Sequence, residues 1–208
     1  MVNTTKAKSF SLASVMFLSI FLSGCIGLDS TVDPRASLLA YPLSIQEGET
    51  VTLDATDSEA VDGVITDFEW DFGDGQKAET VIGFTTYTYE TFGVYTVTLK
   101  VSNSLGGQDE ISTSISVNGA PVLNLTVPEQ VKSGDTAFLD ASNSYDPEGK
   151  ELYYSWDLDW SKDSDSDGDQ RNDIDATTPT VLLPTNNSGK IKGSLLISDG
   201  DGAVATEV

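Results

Sequence analysis

The sequence predicts an all-β protein, two tandem β-sandwiches placed behind an N-terminal export segment. Three observations predict it. Beyond residue 34, apolar and polar residues alternate in short runs split by Gly, Asp, Asn and Ser, which is how half-buried strands read. No stretch sustains the 3.6-residue period of an amphipathic helix. The chain also repeats itself. Gly48-Glu49-Thr50-Val51-Thr52-Leu53-Asp54-Ala55 returns as Gly134-Asp135-Thr136-Ala137-Phe138-Leu139-Asp140-Ala141, an offset of 86 residues. Phe68-Glu69-Trp70-Asp71-Phe72 returns at the same offset, 86, as Tyr154-Ser155-Trp156-Asp157-Leu158. Repeats near 90 residues holding about seven short strands fit tandem immunoglobulin-like sandwiches.

The export segment comes first. Lys6 and Lys8 form a short cationic region, and Phe10 to Ser23 are apolar or small. That run is of signal-peptide length and short of the roughly 20 residues a spanning helix needs. It ends Leu22-Ser23-Gly24-Cys25, which resembles a prokaryotic lipoprotein lipobox. Small residues admit the backbone to a signal peptidase, and the Cys25 thiol is the group that can carry a thioether-linked diacylglyceryl. Two acyl chains hold a protein stably at a membrane where one does not. Residues 1–24 therefore read as a lipoprotein signal peptide and 25–34 as a tether. After cleavage, 9 basic residues face 33 acidic ones, a net charge of −24.

The first sandwich is expected over 35–118. Phe68, Trp70 and Phe72 share one face of a strand. Tyr95, Val97, Leu99 and Val101 face the core while Thr96, Thr98 and Lys100 face out; Ile111, Ile115 and Val117 continue the pattern. Asn118-Gly119-Ala120-Pro121 is a short, turn-rich boundary that leaves the sandwiches little relative freedom. The second sandwich is expected over 119–208. There, Leu99, Val101, Asn103 and Gly106 align with Leu195, Ile197, Asp199 and Gly202 at an offset of 96, so ten extra residues are inserted, where Asp residues cluster. The last strand of the first copy reaches Val117, whose counterpart falls near 213. The chain stops at Val208, and we read it as a fragment with its final strand cut short.

Composition narrows the chemistry. The 208 residues include 33 acids and 11 bases, a net charge of −22 that repels phosphate backbones and argues against nucleic-acid binding. There is no His, which excludes Ser-His-Asp and Cys-His catalysis and every His metal site. The single Cys excludes an intrachain disulfide.

Trp70-Asp71-Phe72-Gly73-Asp74-Gly75, followed by the Tyr89-to-Asn103 run Tyr-Glu-Thr-Phe-Gly-Val-Tyr-Thr-Val-Thr-Leu-Lys-Val-Ser-Asn, resembles the PKD domain, the immunoglobulin-like module first named in polycystic kidney disease proteins. The resemblance covers 35–118. The second copy departs from it at Trp156-Asp157-Leu158-Asp159, where the Phe-Gly-Asp-Gly turn is missing. The motif reads as structural. Trp70 and Phe72 fill a core, Gly73 and Gly75 supply turn angles closed to other residues, and Asp71 and Asp74 accept from turn N–H groups. The resemblance implies a non-catalytic module for contact with extracellular protein or polysaccharide, or for spacing other domains.

Residues 157–175 hold eight Asp against Lys162 and Arg171, net −6 in 19 residues. Asp163-Ser164-Asp165-Ser166-Asp167-Gly168 resembles the first half of an EF-hand loop, in which alternate carboxylates converge on a hard ion. Position twelve is Ile174 rather than an acid. A second register, Asp165, Asp167, Asp169 and Asp173, looks like calcium repeats of extracellular proteins but has Gln170 where Gly is usual. The alternative is a solvated acidic loop without metal. The expectation is a weak Ca²⁺ site, Kd on the order of 10⁻⁴–10⁻³ M, on Asp163, Asp165, Asp167, Asp169 and Asp173.

Together these readings predict a non-enzymatic, lipid-anchored protein of the cell surface, whose sandwiches serve adhesion, display or the binding of protein or carbohydrate. The alternative is a set of N-terminal spacer modules from a larger secreted hydrolase, cut at Val208. A solute-capture lipoprotein would need α/β lobes, for which no helical pattern exists.

Overall fold

The computed structural model describes residues 32–183, 185–186 and 189–208; Cys25 and the export segment lie outside the described residues. The described chain is all-β, with thirteen strands and no helix among the described residues.

The first sandwich closes two sheets on one core. Strands β1 (Leu39–Tyr41), β3 (Thr50–Asp54) and β6 (Phe84–Thr88) form one sheet, in the order β1-β3-β6. The other runs β2-β8-β7-β4-β5 and is built from β2 (Ser44–Gln46), β4 (Ile65–Asp71), β5 (Lys77–Thr80), β7 (Gly93–Asn103) and β8 (Gln108–Asn118). The strict alternation of β7 explains its length. Val97, Leu99 and Val101 are fully buried, Tyr95 packs against the core's edge, and the polar residues between them face away. β8 mirrors this with Ile115 and Val117, paired to β7 from Gly93↔Val117 to Ser102↔Gln108. The end of β8 pairs in parallel with β2, Ile45 opposite Val117, so a short strand seals that edge. Phe68, Trp70 and Phe72 enter the core from β4 and its end, as their spacing predicts. Trp70 Nε1 donates to Thr80 Oγ1 at 3.0 Å, and the buried Tyr89 hydroxyl donates to the Phe72 carbonyl at 2.7 Å.

Residues 32–34 of the expected tether already belong to this sandwich: the Val32 carbonyl accepts from Asn103 Nδ2 and Asp33 Oδ1 from the Gln108 N–H.

A second, smaller core gathers Leu139, Ala141, Trp156, Val181, Leu195 and Ile197. Strands β10 (Tyr153–Asp157), β12 (Ser194–Ser198) and β13 (Ala203–Glu207) form one sheet; β9 (Phe138–Asp140) and β11 (Thr180–Leu182) form the other. Trp156, wholly buried, donates from Nε1 to the Thr178 carbonyl at 2.8 Å. Strand pairing corrects one detail of the repeat. Ser198 pairs with Ala203 where Ser102 pairs with Gln108, so the final strands match at an offset of 95, not 96. The cause is the turn: Asp199 bonds to the Gly202 carbonyl, whereas Asn103 reaches Gly107, one residue farther. The counterpart of Val117 thus falls at position 212.

Candidate functional site

The signature turn consumes its own acids. Asp71 Oδ2 pairs with Lys77 Nζ at 2.8 Å, and its Oδ1 accepts from the Gly73 N–H at 3.0 Å. Lys77, and then the Gly73 N–H, hold the Asp71 carboxyl below its usual range. Asp74 accepts from the Gln76 N–H at 2.9 Å and from the Tyr87 hydroxyl at 2.5 Å. Tyr87 stacks on Phe72 with ring centroids 3.8 Å apart; burial, then Asp74, push its hydroxyl up to about 12. Gly73, at φ +84°, lies so close to β7 that a Cβ would meet the Thr96 carbonyl at 2.5 Å. Gly75 also has positive φ, 92°. The carboxylates of Asp71 and Asp74 are both engaged in holding the turn. The arrangement builds structure and does not present a pair of free carboxylates.

The Asp-rich loop follows from β10, whose last residue, Asp157, is 4 % exposed. The chain returns antiparallel, Trp156 opposite Ala176, which brings Asp175 back to accept from the Leu158 N–H at 2.7 Å. In between, the loop folds on itself. The Gly168 N–H donates to Asp163 Oδ2 at 3.1 Å, while the N–H groups of Ser164 and Asp165 donate to the two oxygens of Asp173 at 2.9 and 3.1 Å. As a result Asp163, Asp165 and Asp173 each offer a carboxylate oxygen within 4.8 Å of the others. Asp167 and Asp169 stand outside this group. Asp167 accepts from the Asp169 N–H and from Asn172 Nδ2, and Asp169 from the Arg171 N–H, so local turn bonds orient both carboxylates.

Two acids in this loop carry an oxygen buried without a hydrogen-bond donor: Asp163 Oδ1 and Asp157 Oδ2. Burial, followed by the charges of Asp175, Asp173 and Asp159 and against the Asp159 N–H, raises the Asp157 pKa. Lys162 pairs with Asp159 at 3.3 Å, and Arg171 lies 5.2 Å over the Trp160 ring. An unpartnered buried oxygen and three convergent carboxylates are oxygen donors suited to a hard divalent ion.

A third polar cluster lies where the sandwiches meet, and sequence reasoning missed it. Lys150 Nζ donates to Asn118 Oδ1 and Asp201 Oδ2, the latter at 2.9 Å, and lies 3.5 Å from Asp199 Oδ2. Gln46 of β2 donates to the Asp201 carbonyl and accepts from Asn118 Nδ2, and the Gly119 N–H donates to Glu148 Oε2 at 2.7 Å. Burial works against the Asp199 charge. The Gly202 N–H, the Asn118 amide, the Asp201 N–H and Lys150 outweigh it and hold the carboxyl down to about 2. Burial likewise opposes the Lys150 charge, but Asp201, Glu148 and Asp199 raise its pKa overall. In the first sandwich the residue matching Asp199 is Asn103, whose amide bonds the Val32 and Asp62 carbonyls without any charge. An acid at the repeat position is the signal that a cation must stand nearby.

Residues 31–117 match the family model of the PKD domain. Over 85 residues the chain is 36% identical to the collagenase ColA of Clostridium perfringens; the match covers 41% of this chain and 7% of the collagenase. The chain thus spans a small fraction of that relative's length. Among solved structures, the PKD1 domain of the Vibrio cholerae metalloprotease PrtV is 31% identical, over 41% of this chain and 98% of that domain, with a TM-score of 0.36. A carbohydrate-binding module of the β-sandwich superfamily is 20% identical over 80% of this chain and 55% of its own, with a TM-score of 0.44.

Proposed function

We propose that the chain is a non-enzymatic, exported protein, anchored through a lipid on Cys25, whose two PKD-type sandwiches bind or display at the cell surface. The observation that carries the reading is the signature turn: Asp71 and Asp74, the acids a catalytic reading would recruit, are tied down by Lys77, Gly73, Gln76 and Tyr87. The lipobox supports the anchor and an extracytoplasmic position, and with it extracellular protein or polysaccharide as the partner class. Ca²⁺ belongs to the same reading, held by Asp163, Asp165 and Asp173 and ordering the insertion of the second sandwich. Membrane fractionation of the chain and of Cys25→Ala in a host that processes lipoproteins tests the anchor. Equal membrane retention and equal cleavage of the two would refute it. Co-sedimentation with insoluble proteins and polysaccharides tests the binding role.

A second reading has its own support. The collagenase relative is far longer than the stretch it shares with this chain, so the sandwiches serve equally well as spacers of a larger secreted hydrolase. The reading frame around residue 208 in the gene separates the two.

A further inference from the structure

The second sandwich carries a pocket of about 400 Å³ between the start of the Asp-rich loop and the segment that leads into β12. Asp159, Trp160 and Ser161 line it from the loop, and Lys190 and Lys192 line it from the segment. The two walls are fixed to each other. The Trp160 N–H donates to the Lys192 carbonyl at 3.0 Å, and a Cβ at Gly193 would collide with the Asp157 carbonyl, so the loop is seated tightly. The next carbonyl, that of Gly193, takes the Val208 N–H. Successive carbonyls of an extended chain point to opposite edges, so the pocket lies toward β10, on the edge away from β13.

The internal repeat marks the pocket as particular to the second copy. At the offset of 96, Lys190 and Lys192 match Val94 and Thr96 of β7; at 86, Trp160 matches Asp74 of the signature turn. The first sandwich has neither the indole nor the ammonium pair at this place. Charge sets the pocket apart as well. Asp159 is the one acid among the lining residues; it pairs with Lys162 at 3.3 Å and accepts from the Ser161 N–H at 3.1 Å. Lys190 and Lys192 are exposed and have no acid partner among the described residues. Arg171 adds a further cation, 5.2 Å over the Trp160 ring. The lining is thus net positive in a chain of net charge −22. Trp160 Nε1 is buried without an acceptor among the described residues, a donor that a bound oxygen would satisfy.

We propose that this pocket binds an acidic sugar unit, a ring bearing a carboxylate or a sulfate, of an extracellular polysaccharide; the proposal rests on the binding role given above and names its ligand class. The two ammonium groups hold the anion. The indole takes the apolar face of the ring, and the Ser161 hydroxyl, which donates to Asp159, accepts from a sugar hydroxyl. A neutral sugar leaves both ammonium groups without a partner. An acidic peptide brings the charge but no ring for the indole.

Calorimetric titration of the chain tests this with oligogalacturonate and a sulfated galactan oligomer, each beside its neutral form (the methyl ester or the unsulfated oligomer), and with oligoglutamate. At least one acidic sugar should bind, at least tenfold more tightly than its neutral form and than oligoglutamate, and more weakly as NaCl is raised. Which of the two binds identifies the acidic group. Lys190→Gln/Lys192→Gln and Trp160→Leu should each weaken that binding at least tenfold, the lysine variant keeping the parent's thermal midpoint. Binding of neither acidic sugar, equal binding of a neutral form or of oligoglutamate, or binding that survives the lysine variant would overturn the proposal. Co-sedimentation with proteins or polysaccharides that the lysine variant retains in full would leave the surface-binding role standing and refute this pocket as its site.

Discussion

Replacing Lys150 with Met isolates the electrostatic part of the joint between the sandwiches, because Met retains a straight apolar stem and loses the ammonium. The geometry sets the magnitude. Asp199 has a side chain with 0% exposure and lies 3.5 Å from Lys150 Nζ, whose own side chain is 32% exposed. Removing one partner of a fully buried pair costs about 3–5 kcal/mol, whereas a fully exposed pair contributes about 0–1. This pair is buried on the acid's side and wet on the lysine's. Asp199 also keeps its N–H donors from Asp201 and Gly202 when the ammonium goes. We expect a net loss of about 1–3 kcal/mol at pH 7, read by urea denaturation at low salt. The pH dependence follows from the sign of the shift. The folded Asp199 pKa, about 2, lies below the ordinary value. Its contribution is therefore complete above the unfolded pKa near 4 and fades as pH falls from there through 2. The gap between the parent and Lys150→Met should close over that window. Adding Asp199→Asn to Lys150→Met should restore most of the loss, since a neutral amide then stands where Asn103 stands in the first sandwich. A single-variant loss below about 0.3 kcal/mol, or a gap that persists unchanged to pH 2, would refute the electrostatic account of the joint.

Trp70→Ala should destabilise the first sandwich by about 3–5 kcal/mol in denaturant titrations, the cost of emptying a large buried aromatic site, and leave the second nearly unchanged. Tyr89→Phe keeps the ring stack on Tyr95 but deletes the buried bond to the Phe72 carbonyl, so a loss of about 1 kcal/mol is expected in the same titration. Asp157→Asn should stabilise the second sandwich in EDTA near pH 7. Burial and the neighbouring acids raise the Asp157 pKa, so in the parent, stability falls as pH climbs from about 4 through that raised value, and the variant should lack this decline. Ca²⁺ at ten times its Kd should raise the second sandwich's stability by about 1.4 kcal/mol beyond NaCl of equal ionic strength. That increment should vanish in Asp165→Asn/Asp173→Asn, and a rise that NaCl reproduces would mean screening alone.

What the sequence shows and what it hides follow the range of the interactions. The strands of the first sandwich are legible because their determinants are local. The Tyr95–Val101 alternation, the Trp70/Phe72 spacing and the turn glycines each decide their structure within a few residues, and each side chain lies on the face that its position demands. The Asp-rich loop is legible only in part. Spacing alone ranks Asp167 and Asp169 with the other ligand candidates. Which acids converge depends on the fold-back at Ser166 and Gly168, with φ of 64° and 99°, and on nine-residue bonds from Ser164 to Asp173. The joint is the least legible feature, because Gln46, Asn118, Lys150, Asp199 and Asp201 are brought together only by the packing of two repeats. Yet the repeat itself holds the missing signal. Where two copies of a fold differ by Asn103 in one and Asp199 in the other, burial is conserved but charge is not, and burying the acid is costly without a counterion. Differences between internal repeats, read as changes in burial and charge at matched positions, therefore locate the long-range features that periodicity cannot.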